Sequence, residues 1–189
     1  MKKVLAIFAL LCTAACVQHK TVKIGNQVWF AENLNIKTGN SECHENCEKC
    51  GFLYDWASAL TACPKGWHLP TDAEWTVLEN AVGGREKAGA TLNEYGFFVP
   101  LCGYEDAGNY FDFQGSAACF WSATEVKASD GAGFMSAEEK EQWAAEFVGN
   151  GAWLRCLSSG DAYTFRGYDT KGNMFSVRCV QDAQSGTAR

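Results

Sequence analysis

The run Cys43-His44-Glu45-Asn46-Cys47-Glu48-Lys49-Cys50 is where this sequence first offers chemistry, with three thiols and an imidazole in eight residues. Thiolate and imidazole at such spacing are zinc donors, and Cys-x-x-Cys is half of many zinc sites. The other half, a second Cys-x-x-Cys or a His pair, is missing from the sequence. In an oxidising compartment these thiols pair instead, one bridge local to the loop and one reaching Cys156 or another strand. Disulfides are the preferred reading, and neither metal nor cofactor is expected.

Other reactive combinations are sparse. The chain has three histidines, and it contains neither Gly-x-Ser-x-Gly nor His-Glu-x-x-His. Glu105 and Asp106 could flank a sugar as an acid and base pair, but adjacent acids in a Gly-containing segment read first as an exposed turn. No catalytic residue is assigned. Aromatic residues make up 13% of the chain, and planar rings left in solvent stack on sugars or dock peptides. Most of the rings belong to a core. Tyr104, Tyr110, Phe111 and Trp153 lie in the loop and strand region of the second half and are the candidate binding residues, and the loops between residues 103 and 152 are the expected binding region.

The elements that position these residues begin after an export signal. Lys2 and Lys3 precede an apolar run from Val4 to Leu11 that is too short to span a bilayer. Thr13-Ala14-Ala15-Cys16 then resembles a bacterial lipobox, which makes Cys16 the lipidated first residue of the mature chain. The usual Leu three places before the cysteine is Thr13 here, and no clean Ala-x-Ala offers the rival cleavage site. Residues 1–15 are read as signal peptide, 16–20 as lipid attachment and tether, 21–182 as one domain and 183–189 as a tail. Removing the signal takes the formal charge from -6 to -8, since it holds two Lys and no acid. That acidity excludes nucleic acid as the partner. The expected partners are the membrane, through the lipid, and a polysaccharide or surface protein. The expected location is the bacterial cell envelope, at the outer membrane or cell surface.

Eight cysteines follow the tether, an even number that implies a disulfide framework in an exported chain: Cys43, Cys47, Cys50, Cys63, Cys102, Cys119, Cys156 and Cys179. Their pairing is not fixed by sequence. If the segments holding Cys102 and Cys119 are neighbouring strands, a bridge between them is possible, and Cys156 is an equally reasonable partner for either.

Residues 21–34 alternate around Gly25-Asn26 and predict a hairpin. Leu53, Trp56, Ala57 and Leu60 predict a helix over 53–62, ended by Pro64. Thr71 with Glu74 forms a capping box for a second helix over 72–82, and Ser136 with Glu139 another for 137–147. From Gly96 onward the chain becomes short strand-like segments punctuated by glycine. Hairpin, helices and then strands give an α+β order.

Four segments, "VKIGNQVWFAENLN", "CPKGWHLPTDAEWTVLE", "CFWSAT" and "SVRCVQD", together resemble the Fibrobacter succinogenes major paralogous domain over residues 21–182. "HLPTDAEW" and "SVRCV" are also similar to segments of the formylglycine-generating sulfatase-modifying domains. That resemblance implies a C-type-lectin-like fold, with two early helices on a small antiparallel sheet, long loops and disulfide staples. It further implies that Cys63 pairs with Cys179. The active-site cysteine pair of the sulfatase-modifying enzymes is not matched, and the Glu-Pro-Asn, Gln-Pro-Asp and Trp-Asn-Asp triplets of calcium-dependent lectins are absent. A non-enzymatic binding or adhesion domain is therefore expected. The alternatives are a divergent formylglycine-generating-type enzyme and a purely structural envelope protein.

Overall fold

A computed structural model describes residues 19–44, 46–108, 110–131 and 135–183. The expected signal peptide, Cys16 and all of the tail beyond residue 183 lie outside the described residues. The chain folds as a mixed α and β domain with two sheets.

The hairpin forms as the alternation predicts: β1 (Thr21–Ile24) pairs antiparallel with β2 (Gln27–Phe30). Its turn needs Gly25, whose φ of 60° is left-handed. After β3 (Ser41–Glu42) come a single helical turn α1 (Cys47–Cys50) and β4 (Leu53–Tyr54). The first long helix starts later than its apolar spacing suggests, as α2 (Trp56–Ala62), because the Asp55 side chain accepts a hydrogen bond from the Ser58 amide and caps it there. Leu53 and Tyr54, freed from the helix, pair with Ser176 and Phe175 late in the chain.

Short β5 (Trp67–His68) leads to α3 (Asp72–Ala81), which carries both bonds of the Thr71–Glu74 capping box. Local patterning does not reveal α4 (Arg85–Thr91), which follows Gly83-Gly84 and buries only Ala88. A 3-10 turn, Leu92–Tyr95, continues it and is closed by Gly96.

The second half supplies β6 (Cys102–Glu105), β7 (Phe111–Gln114), β8 (Ala117–Glu125), α5 (Ala137–Phe147), β9 (Gly151–Ser158), β10 (Phe165–Thr170), β11 (Phe175–Ser176) and β12 (Val180–Gln181). One sheet has the order β1-β2-β12-β5 and joins the two ends of the domain. The other runs β10-β9-β8-β11-β4-β3, with β6 attached to β8 and β7 to β6. The expectation of an antiparallel sheet needs one correction, since β6 and β11 both pair with β8 in parallel. Both parallel contacts are single-residue registers joined by long excursions of chain, which local patterning does not report.

Strand β8 explains why its sequence is almost continuously apolar. Trp121 packs with Phe30, Leu34, Tyr54 and Phe175 on one face, whereas Phe120 packs with Trp29, Trp75, Leu78 and Phe97 on the other. Successive side chains point to opposite faces, so a strand covered on both sides has no polar row. The tryptophans also bond: Trp56 Nε1 donates to the Ser122 carbonyl at 2.8 Å, and Trp121 Nε1 to the Tyr54 carbonyl at 2.8 Å.

Four disulfides close the structure: Cys43–Cys47, Cys50–Cys102, Cys63–Cys179 and Cys119–Cys156. The Cys63–Cys179 pairing matches what the family resemblance implies. A Cys102–Cys119 bridge does not form. Cys119 lies opposite Cys156 in the β8–β9 register, while Cys102 is turned to the loop that carries Cys50.

Candidate functional site

The hairpin of β6 and β7 is fastened at its base and open at its tip. Gly103 pairs with Ala118 of β8, and the Cys50–Cys102 bridge ties the cysteine loop to the same strand. Gly103 has φ 70°, and a Cβ there would lie 2.2 Å from the Asp112 carbonyl oxygen. Only glycine lets the two strands approach so closely. At the tip, Asp106 Oδ1 accepts from the amides of Gly108 and Tyr110, both at 2.9 Å, which shapes the turn.

This frame collects three of the four aromatic candidates. Tyr110 is 66% exposed. Tyr104 is half-buried, stacked on Phe113 at 5.2 Å between ring centroids with an interplanar angle of 11°. Phe111 is half-buried and stacks on His44. The fourth, Trp153, sits in a separate cluster with Val126 and Trp143, 8% exposed. The Arg166 guanidinium lies 3.5 Å from its ring centroid, and its Nε1 donates to Asp130. Trp153 therefore offers no open ring face comparable to Tyr110.

Sequence reasoning missed Phe113. It is 45% exposed and adopts φ 62°, a left-handed conformation that costs a bulky residue energy. The Gly115 that follows two residues later was the only hint of a tight turn there. Burial raises the Tyr104 hydroxyl pKa, and the carboxylates of Asp169, Asp112 and Asp106 add to the rise. The aromatic surface is thus also an acidic one.

Glu105 corrects the reading of Glu105-Asp106 as one exposed turn. Asp106 does shape an exposed turn, but Glu105 is the last residue of β6, 2% exposed, with backbone bonds in both directions to Met174. Its carboxylate meets His44 Nε2. The zinc reading of the thiols loses its donors, because Cys43, Cys47 and Cys50 are all in disulfides.

The other charged groups hold the fold. His68 bonds Asp182 through Nδ1 at 2.7 Å and Glu74 through Nε2 at 2.8 Å. Burial pulls its pKa down, but these two carboxylates outweigh that and raise it. Arg155, fully buried, reaches Glu79 at 2.8 Å and Asp72 at 2.6 Å, and Asp72 is shared with Arg166. Burial opposes the Asp72 charge, yet both guanidiniums prevail and lower its pKa.

The fold and, Asp182 apart, these contacts fall within the span matched by one family model, that of the Fibrobacter succinogenes major domain, over residues 22–181. The chain belongs to this family. No curated protein and no solved structure gives a significant match. In this Fibrobacter succinogenes major domain the matched span runs from β1 to β12. It includes the aromatic hairpin, the cysteine loop and all four bridges.

Proposed function

We propose that the chain is an exported, lipid-anchored cell-envelope protein whose domain is C-type-lectin-like and binds polysaccharide, without catalysis, on the outer surface of the β6–β7 hairpin. The observation that carries the reading is the exposed ring of Tyr110 and the exposed edge of the Tyr104–Phe113 stack beside the carboxylates of Asp106 and Asp112. Planar rings cover the apolar faces of sugar rings, and carboxylate oxygens accept from their hydroxyls. The non-enzymatic reading is supported by the pairing of all eight described cysteines, which leaves no thiol among the described residues for the chemistry of a sulfatase-modifying enzyme. Anchoring rests on the lipobox-like run that ends at Cys16. Among the described residues no helix is long and apolar enough to cross a membrane.

Pull-down on insoluble polysaccharides tests the binding reading. Retention of the native chain and its loss in Tyr110→Ala is expected; no retention on any polysaccharide defeats the glycan assignment. Replacement of Cys16 by Ser is expected to release the protein from membranes, and unchanged membrane association refutes the anchor.

A further inference from the structure

The cysteine loop and the end of β6 bring together three side chains from separate parts of the chain: Glu42 at the end of β3, His44 just beyond it and Glu105. One ligand atom from each lies within 4.8 Å of the other two. We infer that Glu42, His44 and Glu105 form a binding site for a single divalent transition cation of the zinc type.

Charge is the first argument. Two carboxylates and one imidazole carry -2 with His44 neutral and still -1 with it protonated. Among the described residues no Lys or Arg forms an ion pair with any of the three. Glu105 is 2% exposed, and a buried carboxylate needs a compensating charge. Its Oε2 meets the imidazole, while Oε1 accepts no hydrogen bond among the described residues. The Glu42 carboxylate likewise has no hydrogen-bonding or ionic partner among the described residues. A divalent ion neutralises this set; an imidazolium alone does not.

Placement is the second argument. His44 lies beside the Cys43–Cys47 bridge, and Cys50–Cys102 fixes the loop to β6 three residues before Glu105. Glu42 is held in register opposite Leu53, and Glu105 opposite Phe111. The His44 ring stacks on Phe111 with centroids 4.2 Å apart. Two covalent links, two strand pairings and a ring stack thus hold the three side chains together, and an ion enters by replacing the direct His44–Glu105 contact. The thiols of this loop act as the frame, and its histidine is the donor.

Donor type selects the ion. One imidazole nitrogen with two carboxylates suits zinc and its neighbours, whereas calcium takes six to eight oxygen ligands. Three protein ligands leave a coordination position open. A small cavity lined by His44, Phe111, Cys102 and Gln114 adjoins the imidazole.

The test is isothermal titration of the whole oxidised chain, purified without a histidine tag, with zinc chloride and separately with calcium chloride. One zinc per chain with micromolar or tighter affinity is expected, and calcium is expected to bind at least a hundredfold more weakly. His44→Ala and Glu105→Gln should each weaken zinc at least tenfold, and His19→Ala should leave it unchanged. Because Glu105 is buried, Glu42→Gln at an exposed position is the second variant, and a tenfold loss is expected there too. Absence of zinc binding in the native chain overturns the proposal, as does affinity unchanged in both His44→Ala and Glu42→Gln.

Discussion

The stretch from Cys63 to Trp75 and the hairpin from Cys102 to Gln114 are both rich in aromatic rings, acids and a bridging cysteine, yet they use them oppositely. In the first, Trp75 is buried and hydrogen-bonded, Trp67 packs on Phe30, and Asp72, Glu74 and His68 all have charged partners. In the second, Tyr110 and Phe113 face solvent, and among the described residues the side chains of Asp106 and Asp112 bond nearby amides of the hairpin. Residue type does not separate a structural segment from one proposed to bind. Whether each polar and aromatic group already has a partner does.

The sharpest way to test that contrast is to cut the two bridges that differ most in loop length. Cys63 and Cys179 are 116 residues apart, so converting both to Ala is expected to cost about 5 kcal/mol in the chain-entropy account. Cys43 and Cys47 are four apart, and the same treatment there should cost about 2 kcal/mol. Denaturant unfolding under oxidising conditions measures both. Equal losses would break the distinction between staple and local clip.

Next in size is the buried charge network. Arg155→Met leaves Glu79, 3% exposed, without its guanidinium, and a loss of about 3–5 kcal/mol is expected in the same unfolding experiment. A loss below about 1 kcal/mol would mean that this network does not hold α3 on β9.

The hairpin should behave in the reverse manner. Tyr110→Ala is expected to change stability by less than about 0.5 kcal/mol, as surface substitutions do, while weakening polysaccharide retention about tenfold, or about 1.4 kcal/mol. Phe113→Gly relieves a left-handed backbone but loses the stack on Tyr104, so its net stability change should stay within about 1 kcal/mol. Its binding should fall alongside that of Tyr110→Ala. A hairpin variant that unfolds the domain would erase the contrast.

The smallest effect concerns His68. Its folded pKa lies above the ordinary value of 6.5, so its stabilising contribution is complete below about 6.5 and disappears as pH rises through the folded value. The groups are partly exposed and screened, which limits the effect to less than about 1 kcal/mol. Comparing thermal unfolding of the native chain and His68→Gln between pH 5 and 8 should show the two curves converging at the alkaline end.

Local signals in the sequence carried much of this structure. The Ser136 and Thr71 capping boxes placed two helices to within a residue, and Gly25-Asn26 placed the first turn. Helix α4 stayed hidden because its first residue follows a glycine with no side-chain cap and it buries a single alanine. The end of the chain misled as well. "MFSVRCVQ" reads as one strand, but residues 177–179 interrupt it, since Val177 and Cys179 give their carbonyls to the amides of Leu34 and Phe30. Arg178 between them is buried, and its guanidinium bonds the carbonyls of Phe30, Ala31 and Phe98 and the side chain of Asn33. The His44–Glu105 meeting could not be read either. It joins residues 61 apart through a parallel strand attachment and a disulfide, and neither leaves a local pattern.

The Cys63–Cys179 bridge also decides how the domain bears a pull. Tension applied between its two ends passes along the chain to Cys63, crosses the sulfur–sulfur bond and leaves at Cys179. Most of residues 64–178 lies off that line of force, but Cys50 is on the loaded segment and its bridge to Cys102 ties the base of the β6–β7 hairpin to it. Stretching can peel away the segment after Cys179 and the segment before Cys43, whereas straightening the chain between Cys50 and Cys63 pulls on the hairpin through Cys102.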